Sequence, residues 1–271
     1  MTASASPPLH VRTWEPKESK PTVVLLHGFT QNVECWGPFA DELAAAHTVI
    51  AIDAPGHGRS DHDNADLWTS ADLVAATVTG STTDPVVVVG YSMGGRTALH
   101  LALSHPSLVA GLVLIGATAG IDGNSERAER RAADERLATR VEAEPLPEFI
   151  DAWLANPLFA GLSAETACRE ARLTNRPDGL AASLRHCGTG TQEPLWDRLE
   201  ELTMPVLVIA GRDDVKFTAL AERLAGAMPA APVQVTAIDG THAVHLERPT
   251  ATATAISAWL ADALGVWSRS A

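Results

Sequence analysis

Three short stretches hold residue types that together could move a proton through a hydroxyl. Gly90-Tyr91-Ser92-Met93-Gly94 fits G-x-S-x-G, Arg212-Asp213-Asp214 follows the apolar run VLVIAG, and Thr241-His242 follows VQVTAIDG. A serine hydroxyl is a poor base and a poor nucleophile near neutral pH. It needs an imidazole to take its proton and a carboxylate to orient that imidazole. All three stretches lie at the ends of apolar runs, in the order serine, acid, histidine. His242 sits directly past a strand-like run and is the expected base, whereas His245, within HLERP, reads as the loop that follows. The acid is Asp213 or Asp214, and the position three residues past Gly211 favours Asp214.

Other residues converge on the same point. A tight His27-Gly28 turn after VVLL aims the Phe29 amide where the Met93 amide also points, and two such donors make an oxyanion hole. His27 is expected to fix this loop by hydrogen bonding and to take no part in proton transfer. DAPGHGRS (Asp53–Ser60) lacks G-x-G-x-x-G and a Walker lysine, so it reads as a turn near the pocket. His242-x-x-His245 is too sparse for a metal site, and no metal or cofactor is expected.

Arg96 follows Ser92 by four residues, which on a helix starting at the serine places it one turn later on the same side. A guanidinium beside the hydroxyl suits an anionic substrate. Further arginines cluster in SERAERRAADER (Arg127, Arg130, Arg131) and CREARLTNR (Arg169, Arg172, Arg176). Most are expected to pair i,i+4 with glutamates on a solvated face. One per cluster turned into the cleft would suffice to recognise several carboxylates.

These residues need a scaffold. TVVLLHGF, HTVIAIDAPGHGRS, PVVVVGYS, VAGLVLIGAT and MPVLVIAGRDD are β-branched apolar runs closing on Gly, Asp or Ser, and APVQVTAIDGTH is a weaker sixth. Continuous apolar character predicts strands buried on both faces of a parallel sheet. The helical patterns WGPFADELAAA, SADLVAATVTG, GRTALHLALSHP and FTALAERLAGAMP separate most of them, which predicts an open α/β sheet with its site at the strands' carboxyl ends. From Ile121 to Trp196 no strand run occurs, only charge-rich, proline-punctuated helical sequence. The expected organisation is a core of residues 1–120 and 197–271, with 121–196 a helical insertion over the sheet.

Bulk properties narrow the function. The 271 residues carry a net charge of −13, which argues against nucleic acid or an anionic membrane as partner. Cys35, Cys168 and Cys187 show no ligand-like spacing, so neither a disulfide framework nor structural zinc is expected. No signal-peptide pattern and no apolar run of about 18 residues occurs, so a cytoplasmic protein is expected.

Here a resemblance adds to the reading. From about residue 23 to 250 the chain resembles the α/β-hydrolase superfamily. More narrowly it resembles the 2-succinyl-6-hydroxy-2,4-cyclohexadiene-1-carboxylate synthases of menaquinone biosynthesis, in LLHGFTQNVECW, IDAPGHGRS, VGYSMGGR, SERAERR, FIDAWLANPLFAGL, ARLTNRPDGLAASL, GRDDVKFTAL and THAVHLERP. It implies an α/β-hydrolase fold with a helical lid and a triad of Ser92, Asp214 and His242. It further implies carboxylate-binding Arg96, Arg130 and Arg172, with Tyr91, Trp153 and Lys216 also at the substrate. The implied activity is a lyase reaction, elimination of pyruvate from a small substrate with several carboxylates, with the triad as general base. Two departures stand out: Gln31 occupies a position where a glycine often follows His-Gly-Phe, and Gly-Thr-His replaces the common Gly-His. A hydrolase of a carboxylate-bearing ester or carbon–carbon bond would share the triad, and a receptor with vestigial catalysis would share the fold.

Overall fold

The computed structural model describes residues 9–15 and 21–267. Seven strands form one sheet: β1 (Val11–Trp14), β2 (Val23–Leu26), β3 (Val49–Ile52), β4 (Val86–Tyr91), β5 (Val109–Ile115), β6 (Val206–Gly211) and β7 (Val233–Ile238). Their order across the sheet is β1-β3-β2-β4-β5-β6-β7. Only β1 runs antiparallel, paired with β3; the other five pairings are parallel.

The strands from β2 to β6 are buried along their whole length. Alternate residues feed opposite layers because side chains in a strand point to opposite faces. Val86 and Val88 of β4 join a cluster with Leu73 and Val74 of α2 (Leu67–Thr79), Leu99 of α3 (Met93–Ser104) and Leu224 of α8 (Val215–Gly226). Val87, Val89 and Tyr91 join Phe39 and Leu43 of α1 (Gly37–Ala44) and Trp259 of α10 (Pro249–Trp267) on the other face. The runs lack alternation because both faces are covered.

Two strands depart from the expected pattern. β1 has no counterpart among the predicted runs: it is a four-residue edge strand whose middle residues, Arg12 and Thr13, are exposed. The run from His47 to Ser60 supplies only Val49–Ile52 as strand, and the remainder is the turn-rich loop.

Between β5 and β6 the described residues form helices and turns. These are α4 (Asn124–Ala143), α5 (Leu146–Leu154), α6 (Arg169–Arg172) and α7 (Pro177–Cys187), with a 3-10 turn at Pro157–Phe159. Ala138, Val141, Phe149, Ile150, Leu180 and Leu184 make a small core of their own, against which Phe29 packs from the sheet side. This segment meets the core backbone to backbone: a Cβ on Gly56 would lie 2.6 Å from Gly179 O. Asn175 adds polar ties, accepting from Gly58 N–H at 2.7 Å and donating to Thr30 O at 2.7 Å.

The loop under this contact depends on neutral histidines. His27 accepts the Ala54 N–H on Nε2 at 2.9 Å, so its proton sits on Nδ1, 2.9 Å from Gly28 O. Burial lowers its pKa from 6.5 to about 4, and burial likewise lowers that of His57, 5.2 Å away ring to ring, to about 3. Unfolded histidines titrate near 6.5, so below that pH the unfolded chain binds more protons and the fold loses stability as pH falls. The slope is about 1.4 kcal/mol per histidine per pH unit down to the folded values. The thermal midpoint should therefore fall steeply from about pH 6.5 to about pH 4; a flat profile there would contradict the buried neutral state.

Candidate active site

The sheet delivers its functional residues from the carboxyl ends of its parallel strands. Phe29 follows β2, Ser92 follows β4, Asp214 follows β6 and His242 follows β7. Ser92 sits between strand and helix at φ +51°, in the left-handed region that L residues rarely adopt. Such a corner fits only if its neighbours lack side chains. A Cβ on Gly94 would lie 1.9 Å from Leu26 O, and one on Gly90 would lie 2.5 Å from Gly94 O. The G-x-S-x-G spacing is thus a packing requirement of β2, β4 and α3.

His242 Nδ1 lies 2.9 Å from Asp214 Oδ2, and His242 Nε2 lies 3.2 Å from Ser92 Oγ. With Nδ1–H donating to the carboxylate, Nε2 is the atom left to accept the serine proton. His242 is 3% exposed and Asp214 8%, so the relay runs out of bulk solvent. Asp214 also accepts from the Phe217 N–H at the start of α8, which fixes its carboxylate. Asp213 is exposed and only its backbone takes part, donating to Gly240 O at 3.0 Å. Geometry therefore selects Asp214 of the two aspartates.

His245 does not lie in a loop as expected. It is in a one-turn helix, α9 (Val244–Glu247), fully buried against Trp36, Phe39 and Tyr91. The apolar Val244 and Leu246 on either side of it anchor that turn in the core. Tyr91 extends beneath the site: its ring lies 5.4 Å from that of His242, and a Cβ on Gly28 would strike it at 2.7 Å.

Ser92, His242, Phe29 and Met93 open on a cavity of about 210 Å³. The Met93 amide lies in the first turn of α3, where helical N–H groups have no intrahelical acceptor. Arg96, Arg130, Arg172 and Lys216 all line this cavity, and among the described residues no Asp or Glu does. A chain of net charge −13 has thus gathered four cations around one serine.

The cations are seated differently. Arg96, 7% exposed, hydrogen-bonds Cys187 O and lies 3.4 Å from Gln192 Oε1. Burial pushes its pKa down to about 10, and the charge on Arg130 acts in the same direction. Arg172, 1% exposed, donates from Nε to Ala167 O at 2.8 Å and from Nη1 to Thr30 Oγ1. Both guanidiniums thus meet neutral oxygens. Arg130 is different: it is about half exposed, and its Nε pairs with the buried Asp134 carboxylate at 2.8 Å. Lys216 is exposed at the rim.

The expectation of i,i+4 glutamate pairs holds poorly for the clustered arginines. Arg127 bonds Ile121 O, Asp122 O and Asn124; Arg131 bonds Gly190 O; Arg169 pairs with Asp151, and Arg176 with Asp61 and Asp63. Arg131, Arg169 and Arg176 thus tie separate segments together, whereas Arg127 binds the turn that leads into its own helix. Only Arg130–Asp134 follows the helical spacing among them, and with an aspartate.

Of two neutral donors at the cavity, sequence reasoning names Trp153 and misses Gln31. Trp153 lines the cavity, with its ring 5.1 Å from Phe29, and its buried Nε1 has no hydrogen-bond partner. Gln31 lines it too, with Nε2 equally unpartnered. Only the family resemblance points to Trp153, because nothing in the local pattern shows which polar atoms packing will strand. Among the described residues no group of three or more His, Cys, Asp or Glu could hold a metal ion. No described helix is long and apolar enough to cross a membrane.

A serine relay on a mostly parallel sheet, with the nucleophile-type corner after its fourth strand, defines a class. The chain belongs to the alpha/beta hydrolase family, whose pattern matches residues 23–255. Within that class two curated relatives carry one name. The 2-succinyl-6-hydroxy-2,4-cyclohexadiene-1-carboxylate synthase of Salmonella typhimurium (strain LT2) is 34% identical over 220 residues, 80% of this chain and 87% of that protein. A Bacillus subtilis (strain 168) protein carrying the same name in provisional form is 37% identical over 236 residues, 84% of this chain and 85% of that one. Among solved structures, MenH from S. aureus matches with a TM-score of 0.87 at 29% identity, over 94% of this chain and 99% of that one. The resemblance read from the motifs is borne out, and the chain is an enzyme on an α/β-hydrolase fold.

Proposed function

We propose that this enzyme is a lyase of menaquinone biosynthesis that eliminates pyruvate from 2-succinyl-5-enolpyruvyl-6-hydroxy-3-cyclohexene-1-carboxylate. The product would be 2-succinyl-6-hydroxy-2,4-cyclohexadiene-1-carboxylate, the compound in its relatives' name. The observation that carries the reading is the cavity itself: four cations line it beside a buried Ser92–His242–Asp214 relay, and among the described residues no Asp or Glu lines it. A hydrolase of neutral esters has no use for that charge.

The substrate's proton at ring carbon 2 is acidified by the adjoining succinyl carbonyl. Ser92 Oγ, giving its own proton to His242 Nε2, removes it, and Asp214 stabilises the resulting imidazolium. The freed electron pair forms the carbon 2–3 double bond, the carbon 3–4 double bond moves to carbons 4–5, and the carbon–oxygen bond to the enolpyruvyl group breaks. The departing enolate takes up a proton and becomes pyruvate. Negative charge on the succinyl carbonyl oxygen falls to the Phe29 and Met93 amides. Arg96, Arg130, Arg172 and Lys216 hold the carboxylates, with Tyr91 and Trp153 packing the ligand. In this reading residues 121–196 act as a lid on the core, and the enzyme works in the cytoplasm without a cofactor.

The same relay is built for acyl transfer, so the test must separate the two. The purified protein should release pyruvate from the enolpyruvyl substrate far above the buffer rate, with no acyl-enzyme detectable by mass spectrometry. Rapid cleavage of simple esters with a trapped acyl-Ser92 adduct, and pyruvate release no faster than in buffer, would overturn the lyase in favour of a hydrolase.

A further inference from the structure

We propose that Gln31 determines specificity in this cavity, its side-chain amide donating a hydrogen bond to a carboxylate oxygen of the bound ligand beside Arg172. The inference deepens the function proposed above and rests on its anionic substrate.

Gln31 is 1% exposed, and its side chain is already half committed. Its Oε1 accepts the Gly28 N–H at 3.0 Å, and its backbone N–H donates to Gly28 O at 3.1 Å. Because an N–H occupies the oxygen, the other corner of the amide plane must be the NH2 group. That group is buried and has no partner, although it belongs to a residue lining the cavity. Buried polar hydrogens without acceptors are costly, and an apolar side chain of similar size would fill the space without that cost. The acceptor that fits is a ligand atom.

Its surroundings define the atom. The preceding residue, Thr30, holds φ +67° and accepts a hydrogen bond from Arg172 Nη1 through Oγ1. The turn therefore joins a buried guanidinium to a neutral amide across two consecutive residues. Charge from Arg172 attracts a carboxylate, while the amide adds a directional bond without adding charge. Trp153 Nε1 is a further unpartnered donor at the same cavity. The turn residue that breaks the usual His-Gly-Phe pattern is thus a ligand contact as well as a brace for the Phe29 amide.

Two variants separate those roles. Gln31→Glu keeps an oxygen for the Gly28 N–H but replaces the donor by an acceptor, whereas Gln31→Met removes both. Binding of the enolpyruvyl substrate is measured by calorimetry in a Ser92→Ala background, and kcat and KM in the otherwise unaltered protein. Gln31→Glu is expected to weaken binding and raise KM by about tenfold or more, with kcat within about threefold. Gln31→Met is expected to weaken binding less than Gln31→Glu, since it introduces no repulsion. Binding within twofold of the parent for both variants would overturn the inference. A fall in kcat at unchanged affinity would also overturn it, leaving Gln31 as a brace alone. If the parent binds the compound in a Gln31-dependent way yet releases no pyruvate, the lyase reading fails and this inference stands. Pyruvate release that both variants support at unaltered KM sinks the inference and leaves the lyase standing.

Discussion

Ser92→Ala should lower pyruvate release by about 10³-fold, in the range that general acid–base catalysis contributes, while leaving the substrate bound. The magnitude matters as much as the direction. If Ser92 is the base, the variant retains the oxyanion amides, the cations and a His242 whose Nε2 still faces the cavity from 3.2 Å behind the lost oxygen. If Ser92 were a covalent nucleophile, no acyl intermediate would form and the loss would approach about 10⁶-fold. Asp214→Asn should act through the imidazole, whose Nδ1 would lose its acceptor at 2.9 Å. Combining it with Ser92→Ala should cost little more than either alone, because the residues work as a unit. Single-turnover kinetics on the variants measure this, and additive losses would break the proposed relay.

Arg96→Met should lower kcat/KM by about 10²- to 10³-fold, the consequence of removing one partner of a desolvated charge pair, and should not lower the thermal midpoint. The second half is the sharper statement. Arg96 is 7% exposed and bonded to neutral oxygens from Cys187 and Gln192, and burial pulls its pKa to about 10. A charge held out of water without a counter-ion weighs against the fold, so an apolar chain of similar length relieves that cost. Activity and stability would then move in opposite directions, as they do at sites kept for a ligand. A midpoint that drops by several degrees together with activity would make Arg96 a structural residue. Calorimetric scanning with and without substrate distinguishes the cases, since ligand should stabilise the parent protein more than the variant.

The sequence makes legible what is local. Ser92, Asp214 and His242 each end an apolar run, and an open sheet must bring such ends together. Gly90 and Gly94 announce a backbone contact before any coordinates. What stays hidden arises between segments distant in the chain. The seat of Arg96 is made by residues some ninety positions later. That of Arg172 rests on Thr30, and the partners of Arg131 and Arg176 belong to other elements. No periodicity reveals those pairings, which is why helical spacing mis-paired these arginines. β1 escaped notice because four residues at a sheet edge, with Arg12 and Thr13 exposed, carry too little apolar signal. His245 was misplaced because a single helical turn has no period to detect.

Where main chain touches main chain there is nothing to repack. Gly94 abuts Leu26 O, which clamps the turn bearing Phe29 to the serine corner, and a Cβ on Gly211 would sit 2.0 Å from Thr241 O, which clamps the segment bearing Asp214 to that bearing His242. A change of guest must be absorbed where side chains face the cavity, by Gln31, Arg96 and Lys216 of the core and by Arg130, Trp153 and Arg172 between Asn124 and Cys187. The clamped main chain is the fixed part of the machine, and its tailoring falls to the side chains that line the cavity.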